Sequence, residues 1–257
     1  MRGIAITRGV SSSLPDCELT HLARVPIDIV RARTQHASYE SALADAGYRI
    51  ERLPDSDALP DCVFVEDIAV VFPELAVLTR PGAESRRGES PAVAAALAPH
   101  RTICCIESPG TIDGGDVLVA GRQVFVGLSS RTNASGIEQM QRILNRDGYR
   151  VRPIDVAGCL HLKSAVTAIA DNVLLVNPEW IDCGALDDFE IETIDPLEPH
   201  AANVLRLHDR VIFPAAFPRT ADKLRRRRLS VQLVEVDELA KAEGAVTCCS
   251  LIVDGRQ

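Results

Sequence analysis

The sequence predicts one α/β domain, folded as a propeller of five strand–strand–helix–strand units. The chain has 257 residues, 46% of them apolar, which fits one large domain or two small ones. The same order of elements recurs along the chain, and the incomplete unit at the C-terminus finds its missing elements at the N-terminus. An open mixed α/β sheet would show the same order, so the pattern alone leaves both architectures open.

Each unit is predicted from two strands rich in β-branched residues, a helix and a further strand. In the first unit the segments are 62–72, 75–80, 89–99 and 101–107. The second unit has a hairpin at 116–129 with its turn at Gly121-Arg122, a helix at 133–148 and a strand at 149–155. Asn133 is the expected N-cap of that helix, and Gly148 is its expected stop.

The remaining units repeat this order. The third has strands within 165–177, a weak helix near Glu179–Leu186 and a strand at 189–195, and the fourth has strands within 203–215, a helix at 219–229 and a strand at 231–237. The fifth combines a strand at 245–253 with the N-terminal strand 3–8, helix 28–47 and strand 48–53. Pairing the first and last strands would close the ring and remove an exposed edge.

Composition and charge argue against several kinds of partner. Lys and Arg number 28 against 36 Asp and Glu, and the net charge of −8 disfavours nucleic acid. The basic run at 223–229 falls in a predicted helix, where we expect a solvated face. No apolar run is long enough for a membrane span, and residues 1–10 do not form a signal peptide, so a cytoplasmic protein is expected. The eight cysteines include no CxxC pair, so we expect reduced thiols and no structural zinc.

Reactive side chains recur at one position of the repeat, near the first strand of a unit. They are Glu66 and Asp67 in the first unit, Asp113 in the second, His161 in the third and Cys248 in the fifth. Each has a plain alternative: a cysteine in a strand is usually core, and DGGD is also the pattern of a tight turn with glycine at positive φ. Units related by rotation about one axis would nevertheless bring these positions together, which predicts a site at one end of that axis.

This set of side chains points to a class of chemistry. A cysteine and a histidine are the minimum for nucleophilic catalysis through sulfur, and Asp113 is the candidate to orient His161. Several carboxylates suit a cationic substrate, in particular a planar guanidinium that they can hold through paired hydrogen bonds. A guanidinium carbon is a poor electrophile, so a strong nucleophile and positioned charge are both required. The predicted reaction is cleavage of a C–N bond at a guanidinium.

Five motifs in order resemble the dimethylarginine dimethylaminohydrolases, a family of the guanidino-group-modifying or pentein superfamily. They are LPDCVFVEDIAVV from Leu59, LTRPGAESRRGE from Leu78, TIDGGDVLVAGRQVFVGLSSRTN from Thr111, LHLKSAV from Leu160 and AVTCCSLIV from Ala245. A matching helix around Gln35-His36 extends the likeness toward the N-terminus. The resemblance implies the five-bladed α/β propeller and the hydrolysis of Nω-methylated arginines to citrulline and dimethylamine or methylamine.

The resemblance also implies a role for each motif residue. Cys248 matches the nucleophile, His161 the general acid and base, and Asp113 the acidic residue that supports the histidine. The implied substrate contacts are Asp67 with Glu66 beside it for the guanidinium, Asp61 for the α-amino group, Arg86 and Arg131 for the α-carboxylate, Leu19 on a flexible lid with Leu22 as the alternative, and Ser164.

The implied mechanism forms a thiouronium intermediate on Cys248, with His161 protonating the departing amine and then activating water. Because the carboxylates would oppose thiolate formation in the empty enzyme, we expect binding of the substrate to favour deprotonation of the thiol. No metal or organic cofactor is expected. The expected partner is a small molecule, with no nucleic acid and no membrane, and the chain is expected to be a monomer or homodimer.

Other functions stay open at this point. An arginine deiminase or an amidinotransferase of the same fold would use a similar site. A non-catalytic binder of arginine-like ligands, or a partner-binding propeller that uses the run of arginines, would need no nucleophile.

The adjacent cysteines 248 and 249 pose a separate question. Neighbouring residues of a regular strand point to opposite faces, so only one of them would face the site. The repeat position and the motif both select Cys248. Cys249 is then expected to be a packed, unreactive thiol.

Overall fold

The structure, a computed structural model, describes residues 2–255, and within that range the strands form five three-stranded sheets. The strands are β1 (Gly3–Arg8), β2 (Tyr48–Leu53), β3 (Ala69–Val71), β4 (Leu75–Leu78), β5 (Thr102–Cys105), β6 (Val117–Ala120), β7 (Gln123–Leu128), β8 (Arg150–Asp155), β9 (Val166–Ala170), β10 (Val173–Val176), β11 (Glu190–Thr193), β12 (Leu205–Leu207), β13 (Arg210–Pro214), β14 (Ser230–Val234) and β15 (Leu251–Asp254). The helices are α1 (Ile29–Asp45), α2 (Ser90–Leu97), α3 (Ala134–Leu144), α4 (Leu162–Ala165), α5 (Pro218–Arg226) and α6 (Asp237–Ala240).

All five sheets share one topology. The middle strand pairs antiparallel with the first strand of its unit and parallel with the third, and a helix or helical turn connects the middle and third strands. In one sheet the order is β15-β1-β2, so the two ends of the chain belong to the same unit. Gly3 lies opposite Asp254 and Ile6 opposite Leu251 in that pairing. The predicted closed ring of five units is therefore confirmed, and the open sheet is excluded.

Local sequence signals explain where several elements begin and end. The side chain of Asn133 accepts a hydrogen bond from the Gly136 amide at 2.9 Å and caps α3 as predicted. Gly148 stops the helical segment with a φ of 73°, and Gly121 makes the β6–β7 turn with a φ of 61°. Both conformations favour glycine because it has no Cβ.

Three predicted elements differ from the structure. Residues 62–72 contain a 3₁₀ turn at Val65–Ile68 before β3, and residues 245–250 form turns before β15. Both strands are therefore shorter than predicted. In these segments, buried polar side chains and backbone amides form hydrogen bonds within turns instead of pairing with a neighbouring strand. The weak helix predicted near Glu179–Leu186 is only a 3₁₀ turn at Cys183–Leu186.

The basic run lies on the solvated side of α5 and just after it, as predicted. Arg225 and Arg226 are exposed, and the side chain of Arg227 pairs with Glu192 at 2.6 Å and with Glu190 of the adjoining strand β11. Surface pairs of this kind contribute little to stability. Among residues 2–255 there is no helix with both the length and the apolar composition that a membrane span requires.

The apolar core is divided into patches between neighbouring units. One patch joins Ile6 and Leu251 of the closing sheet to Val93 and Leu97 of α2. Fully burying a side chain of this size stabilises the fold by about 1.5–3 kcal/mol relative to its exposure. Because the helices and sheets pack around the outside, the segments that precede the first strand of each unit are left to meet at the centre.

Closure of the ring can be tested at Gly3. A Cβ at this position would lie 2.3 Å from the carbonyl oxygen of Val253, so the β1–β15 pair would have to shift. We expect Gly3→Ala to lower the free energy of unfolding by about 1–3 kcal/mol, measured by urea denaturation. Gly88→Ala is the matched control, since its nearest neighbour would be the Leu59 side chain at 3.4 Å. Equal losses in the two variants would contradict the prediction.

Candidate active site

The turns that precede the first strand of each unit meet at one end of the ring. They are Val65–Ile68, Gly114–Asp116, α4, residues 198–203 and residues 245–250. The Gly115 amide donates to Asp67 at 2.9 Å, and the Thr247 hydroxyl donates to Glu66 at 2.7 Å. The predicted convergence of distant motifs is confirmed by these contacts between units.

These turns surround a cavity of about 320 Å³, a volume that includes space open to solvent. Its lining residues are Glu18, Asp61, Phe64, Asp67, Arg86, Arg131, Leu160, His161, Ala242, Glu243, Gly244 and Cys248. Six of the ten predicted site residues line the cavity: Asp61, Asp67, Arg86, Arg131, His161 and Cys248. Glu66 and Asp113 lie behind the wall, in contact with residues of the site.

His161 lies between two buried carboxylates. Its Nε2 is 3.2 Å from Asp113 Oδ2, and its Nδ1 is 3.8 Å from Asp67 Oδ1. Burial alone would lower the pKa of His161, but the carboxylates of Asp67, Asp113 and Asp116 raise it to about 9. The imidazole is therefore a cation near neutral pH and carries a proton that it can donate.

Asp113 is itself held in place. Its Oδ1 accepts a hydrogen bond from the Gly82 amide at 2.8 Å, and its own amide donates to Thr132 Oγ1 at 3.1 Å. Asp116, the second aspartate of DGGD, accepts from the Leu162 amide at 3.0 Å, directly after the histidine. Asp113 thus fixes one ring nitrogen of His161, and Asp116 fixes the turn that carries it.

The two glycines of DGGD serve close packing rather than a positive φ. Neither Gly114 nor Gly115 is among the glycines with positive φ in residues 2–255. A Cβ on Gly114 would lie 2.0 Å from the Glu66 carbonyl oxygen, and one on Gly115 would lie 2.5 Å from His161 Nδ1. The tight-turn interpretation with positive φ is therefore wrong, because the glycines are needed where backbone and imidazole approach closely.

Asp67 and Arg86 form a buried ion pair. Arg86 Nη1 donates to Asp67 Oδ2 at 2.5 Å, and the rest of the guanidinium binds Glu89 at 3.0 and 2.9 Å and two backbone carbonyls. Burial opposes the charge of Asp67, but His161 and Arg86 hold the pKa of that carboxyl below its usual range. Asp67 is thus a permanent anion in the cavity wall.

Cys248 reaches the cavity with 9% of its surface exposed. Burial raises the pKa of its thiol well above the usual range, and the charges of Glu66 and Asp67 raise it further. One opposing contact exists, since the Ala245 amide donates to Sγ at 3.4 Å. The expectation that carboxylates oppose the thiolate in the empty site is confirmed.

Cys249 is fully buried and packs in the core cluster that includes Tyr39 and Leu239. Its thiol donates to the Ala245 carbonyl at 3.6 Å, and burial raises its pKa well above the usual range. The expectation that Cys249 packs in the core is confirmed, and its low reactivity stays a prediction. The reason given for this packing was wrong, because both cysteines lie in turns rather than on a strand with alternating faces.

Glu66 connects the turns beneath the cavity through hydrogen bonds. Its Oε1 accepts from Lys163 Nζ at 2.5 Å and its Oε2 from the Thr247 hydroxyl. Asn203 Nδ2 donates at 3.0 Å both to Thr247 Oγ1 and to the Lys163 carbonyl. Sequence reasoning missed Lys163, Thr247 and Asn203. Asn203 precedes the first strand of the fourth unit, so the position in the repeat was a signal that could have found it.

The lid segment, defined here as residues 17–28, brings Glu18 rather than Leu19 to the cavity. Leu19 is half-buried and packs against the core, and Leu22 is 41% exposed. The Glu18 amide donates to Asp61 at 3.1 Å, and burial raises the pKa of that carboxyl to about 6 against the effect of Arg86. Ser164 lies on α4 and is absent from the described cavity wall, so the structure does not bring Leu19 or Ser164 into the site.

Arg131 closes another side of the cavity. Its Nη1 is 3.7 Å from Asp113 Oδ2, and its Nη2 donates to the Thr20 hydroxyl at 3.1 Å. Asp67, Asp113 and His161 offer ligand atoms within 4.8 Å of one another, which a metal ion could bridge. The two aspartates already lie beside Arg86 and Arg131, however, so this cluster is an ion-pair network around the histidine.

Several known proteins are similar to this chain in sequence or in structure. A family model described as arginine deiminase matches residues 59–196. N(G),N(G)-dimethylarginine dimethylaminohydrolase of Pseudomonas aeruginosa is 37% identical over 252 residues, covering 96% of this chain and 97% of that protein. The protein of that name from Streptomyces coelicolor is 39% identical over 250 residues, covering 96% and 95%. The solved structure of a mutant of the Pseudomonas aeruginosa enzyme complexed with citrulline has a TM-score of 0.91 at 35% identity and covers 98% of this chain and 99% of that chain.

The closed ring of five units, with cysteine, histidine and carboxylates gathered at one end, defines a pentein, a fold of enzymes that modify guanidino groups. Two curated relatives named N(G),N(G)-dimethylarginine dimethylaminohydrolase are 37% and 39% identical to this chain over 96% of its length. The chain belongs to the dimethylarginine dimethylaminohydrolase family.

The charge state of His161 can be tested by replacing its buried partner. Because the carboxylate of Asp113 helps raise the pKa of His161, we expect Asp113→Asn to lower the titration midpoint of the imidazole from about 9 to about 8, measured by NMR. A folded pKa above the unfolded value of about 6.5 stabilises the protein below pH 6.5, and this contribution is lost as pH rises through 9.

The free energy of unfolding should therefore fall less steeply between pH 6.5 and 9 in Asp113→Asn than in the wild type. Glu138→Gln, an exposed carboxylate on α3, is the control and should leave the midpoint unchanged. An unchanged midpoint in Asp113→Asn would show that Asp113 does not set the charge of the imidazole.

Proposed function

We propose that this protein hydrolyses Nω-methylated arginines to citrulline and dimethylamine or methylamine. The observation that carries the proposal is a cavity that combines the Cys248 thiol with a cationic His161 and an anionic Asp67. A guanidinium substrate supplies the positive charge that the thiol lacks in the empty site. The family relatives that carry the name of this activity support the same assignment.

The guanidinium end and the α-amino acid end of the substrate would each contact complementary groups in the cavity wall. Asp67 would receive the guanidinium, since a carboxylate offers about four acceptor sites and Asp67 uses two of them, on Gly115 and Arg86. Asp61 would pair with the α-ammonium. The five N–H groups of Arg86 are mostly used within the protein, so we assign the larger share of the α-carboxylate contact to Arg131.

The reaction then proceeds in two stages. Substrate binding lowers the cost of ionising Cys248, whose proton passes to solvent water, and the thiolate forms a bond to the guanidinium carbon. The C–N bond to the methylated nitrogen breaks as His161 donates its proton to the departing amine, which leaves a thiouronium on Cys248. The now neutral His161 removes a proton from water, the oxygen adds to the same carbon, the C–S bond breaks and citrulline leaves.

Asp113 acts through His161. It holds the ring at Nε2, so Nδ1 faces Asp67 and the guanidinium that Asp67 would bind. Glu66 has a different task, because it pairs with Lys163 and Thr247 and so fixes the turn that carries Cys248.

A second candidate, an arginine deiminase, is favoured by the family model that matches residues 59–196. It would use the same nucleophile and differ only in the leaving group, ammonia in place of a methylated amine. A panel of substrates separates the two candidates.

The proposed function predicts release of citrulline from asymmetric dimethylarginine and monomethylarginine in preference to arginine. Agmatine-type amines should react poorly because they lack the carboxylate that Arg131 would bind. Citrulline and the released amine are both measured. Faster turnover of arginine would favour the deiminase, and release of neither product would indicate a non-catalytic binder.

The same assay with cysteine variants locates the nucleophile. Cys248→Ala should lower kcat by about 10³-fold or more, as expected when a covalent nucleophile is removed. Cys249→Ala is the matched control and should stay within about threefold of the wild type, because Cys249 is buried in the core. The opposite order would transfer the role to Cys249.

The pH dependence of kcat/KM should be bell-shaped. On the acid side, activity should fall below about pH 6 as Asp61 is protonated and loses its attraction for the α-ammonium. On the alkaline side, it should fall above about pH 9 as His161 loses the proton that the leaving amine requires. Asp61→Asn should lower kcat/KM and flatten the acid side alone. A wild-type acid limb retained in that variant would contradict the role of Asp61.

A further inference from the structure

We propose that Glu243 is a positioning residue that holds the lid segment closed over the active-site cavity. The inference rests on the proposed function for its kinetic part and on geometry for its structural part. Glu243 belongs to no predicted motif, lies five residues before Cys248 and lines the same cavity.

Three consecutive backbone amides of the lid segment point at this one carboxylate. The amide of Thr20 donates to Oε2 at 2.9 Å, and those of His21 and Leu22 donate to Oε1 at 2.6 and 2.7 Å. Successive amides that converge in this way form an anion-binding nest, and hydrogen bonds to a charged acceptor are stronger than neutral ones. The arrangement links residues more than 200 positions apart in the sequence.

Side-chain contacts hold the lid segment at several further points. Arg24 Nη2 donates to the Cys17 carbonyl at 2.6 Å, and Lys241 Nζ donates to the Pro26 carbonyl at 3.2 Å. Residues 18–28 contain no helix or strand, and most of them are exposed. Asp61 binds the Glu18 amide near one end, and Glu238 accepts from the Asp28 amide at 2.9 Å at the other. Between these anchors, the Glu243 carboxylate accepts three hydrogen bonds from consecutive backbone amides.

The backbone at Glu243 is itself unusual. Its φ is 59°, a left-handed conformation that glycine adopts freely and that is strained for other residues. Glycine follows at once, and a Cβ on Gly244 would lie 2.2 Å from the Phe64 ring, so the backbone next to Glu243 packs closely against Phe64. A side chain kept at such a position suggests a task that glycine could not perform.

Glu243 is expected to affect substrate binding more than cleavage of the C–N bond. In the closed position the lid segment places Glu18 in the cavity wall and the Thr20 hydroxyl on Arg131. Entry of a substrate requires this segment to move and therefore breaks the contacts with Glu243, which re-form on closure. Among the described residues, Glu243 forms no hydrogen bond or ion pair with Cys248, His161 or Asp113, the groups assigned to the chemical steps.

The experiment compares Glu243→Gly, Glu243→Gln and the control Glu138→Gln, an exposed carboxylate on α3. Glycine removes the carboxylate and relieves the backbone strain, so this variant retains the fold. Glutamine keeps the shape but presents an NH₂ group to one of the three amides. Amide hydrogen exchange at Thr20, His21 and Leu22 is followed by NMR without substrate, so this readout does not depend on the proposed reaction.

We expect exchange at these three amides to accelerate by about 10-fold or more in Glu243→Gly, with a smaller effect in Glu243→Gln and none in Glu138→Gln. With dimethylarginine, KM should rise about 10-fold while kcat changes by less than about threefold. Unchanged amide exchange in Glu243→Gly would overturn the proposal. So would a loss of kcat at constant KM, because that pattern would place Glu243 in the chemical steps.

If the protein fails to hydrolyse methylated arginines at all, the exchange measurement still decides the structural part. Accelerated exchange would then support the lid contact while the proposed function is rejected. Unchanged exchange would reject the lid contact whatever the enzyme's substrate.

Discussion

The antiparallel pairing of β1 with β15 is the constraint on which the site depends. It joins the two ends of the chain in one sheet, with Gly3 opposite Asp254. Since Cys248 lies on the turn just before β15, its position relative to Glu66 and His161 is set by ring closure. An open sheet with the same elements would carry the same motifs, but the thiol and the imidazole would have no common cavity.

Ring closure also concentrates charge at the centre, and the site works because this charge is balanced. Burial alone would neutralise His161, Asp67 and the other ionisable groups. Instead, the neighbouring carboxylates stabilise the protonated imidazole, while Asp67 is held as an anion by His161 and Arg86. The thiol is the exception, because burial and the charges of Glu66 and Asp67 hold its pKa well above the usual range. In the proposed reaction, the positive charge of the bound substrate would offset these carboxylates, so the substrate would take part in activating the thiol.

Much of this could be predicted from sequence, for reasons that particular residues show. The repeat of strands, and the position of His161 or Cys248 within it, are local patterns of the sequence. Because the units are related by rotation about one axis, these equivalent positions lie close together in the fold. The contacts of Arg86 could not be predicted, since nothing local says that its guanidinium binds Asp67 and Glu89. The role of the glycines of DGGD could not be predicted for a related reason: glycine is needed there because the Glu66 backbone and the His161 ring pack closely on them, and not because of a positive φ.

The turn from 243 to 250 shows how one short segment can serve several parts of an enzyme. Cys249 is fully buried, and Gly244 packs against Phe64, so the backbone between them is anchored in the core. On that anchored backbone, Thr247 faces the network beneath the cavity and Cys248 faces the cavity itself. Glu243, one residue before Gly244, reaches outward to the lid segment. A shift in this turn would therefore move the Glu243 contact with residues 20–22, the Cys248 thiol and the central network together, so all three depend on the same short segment of backbone.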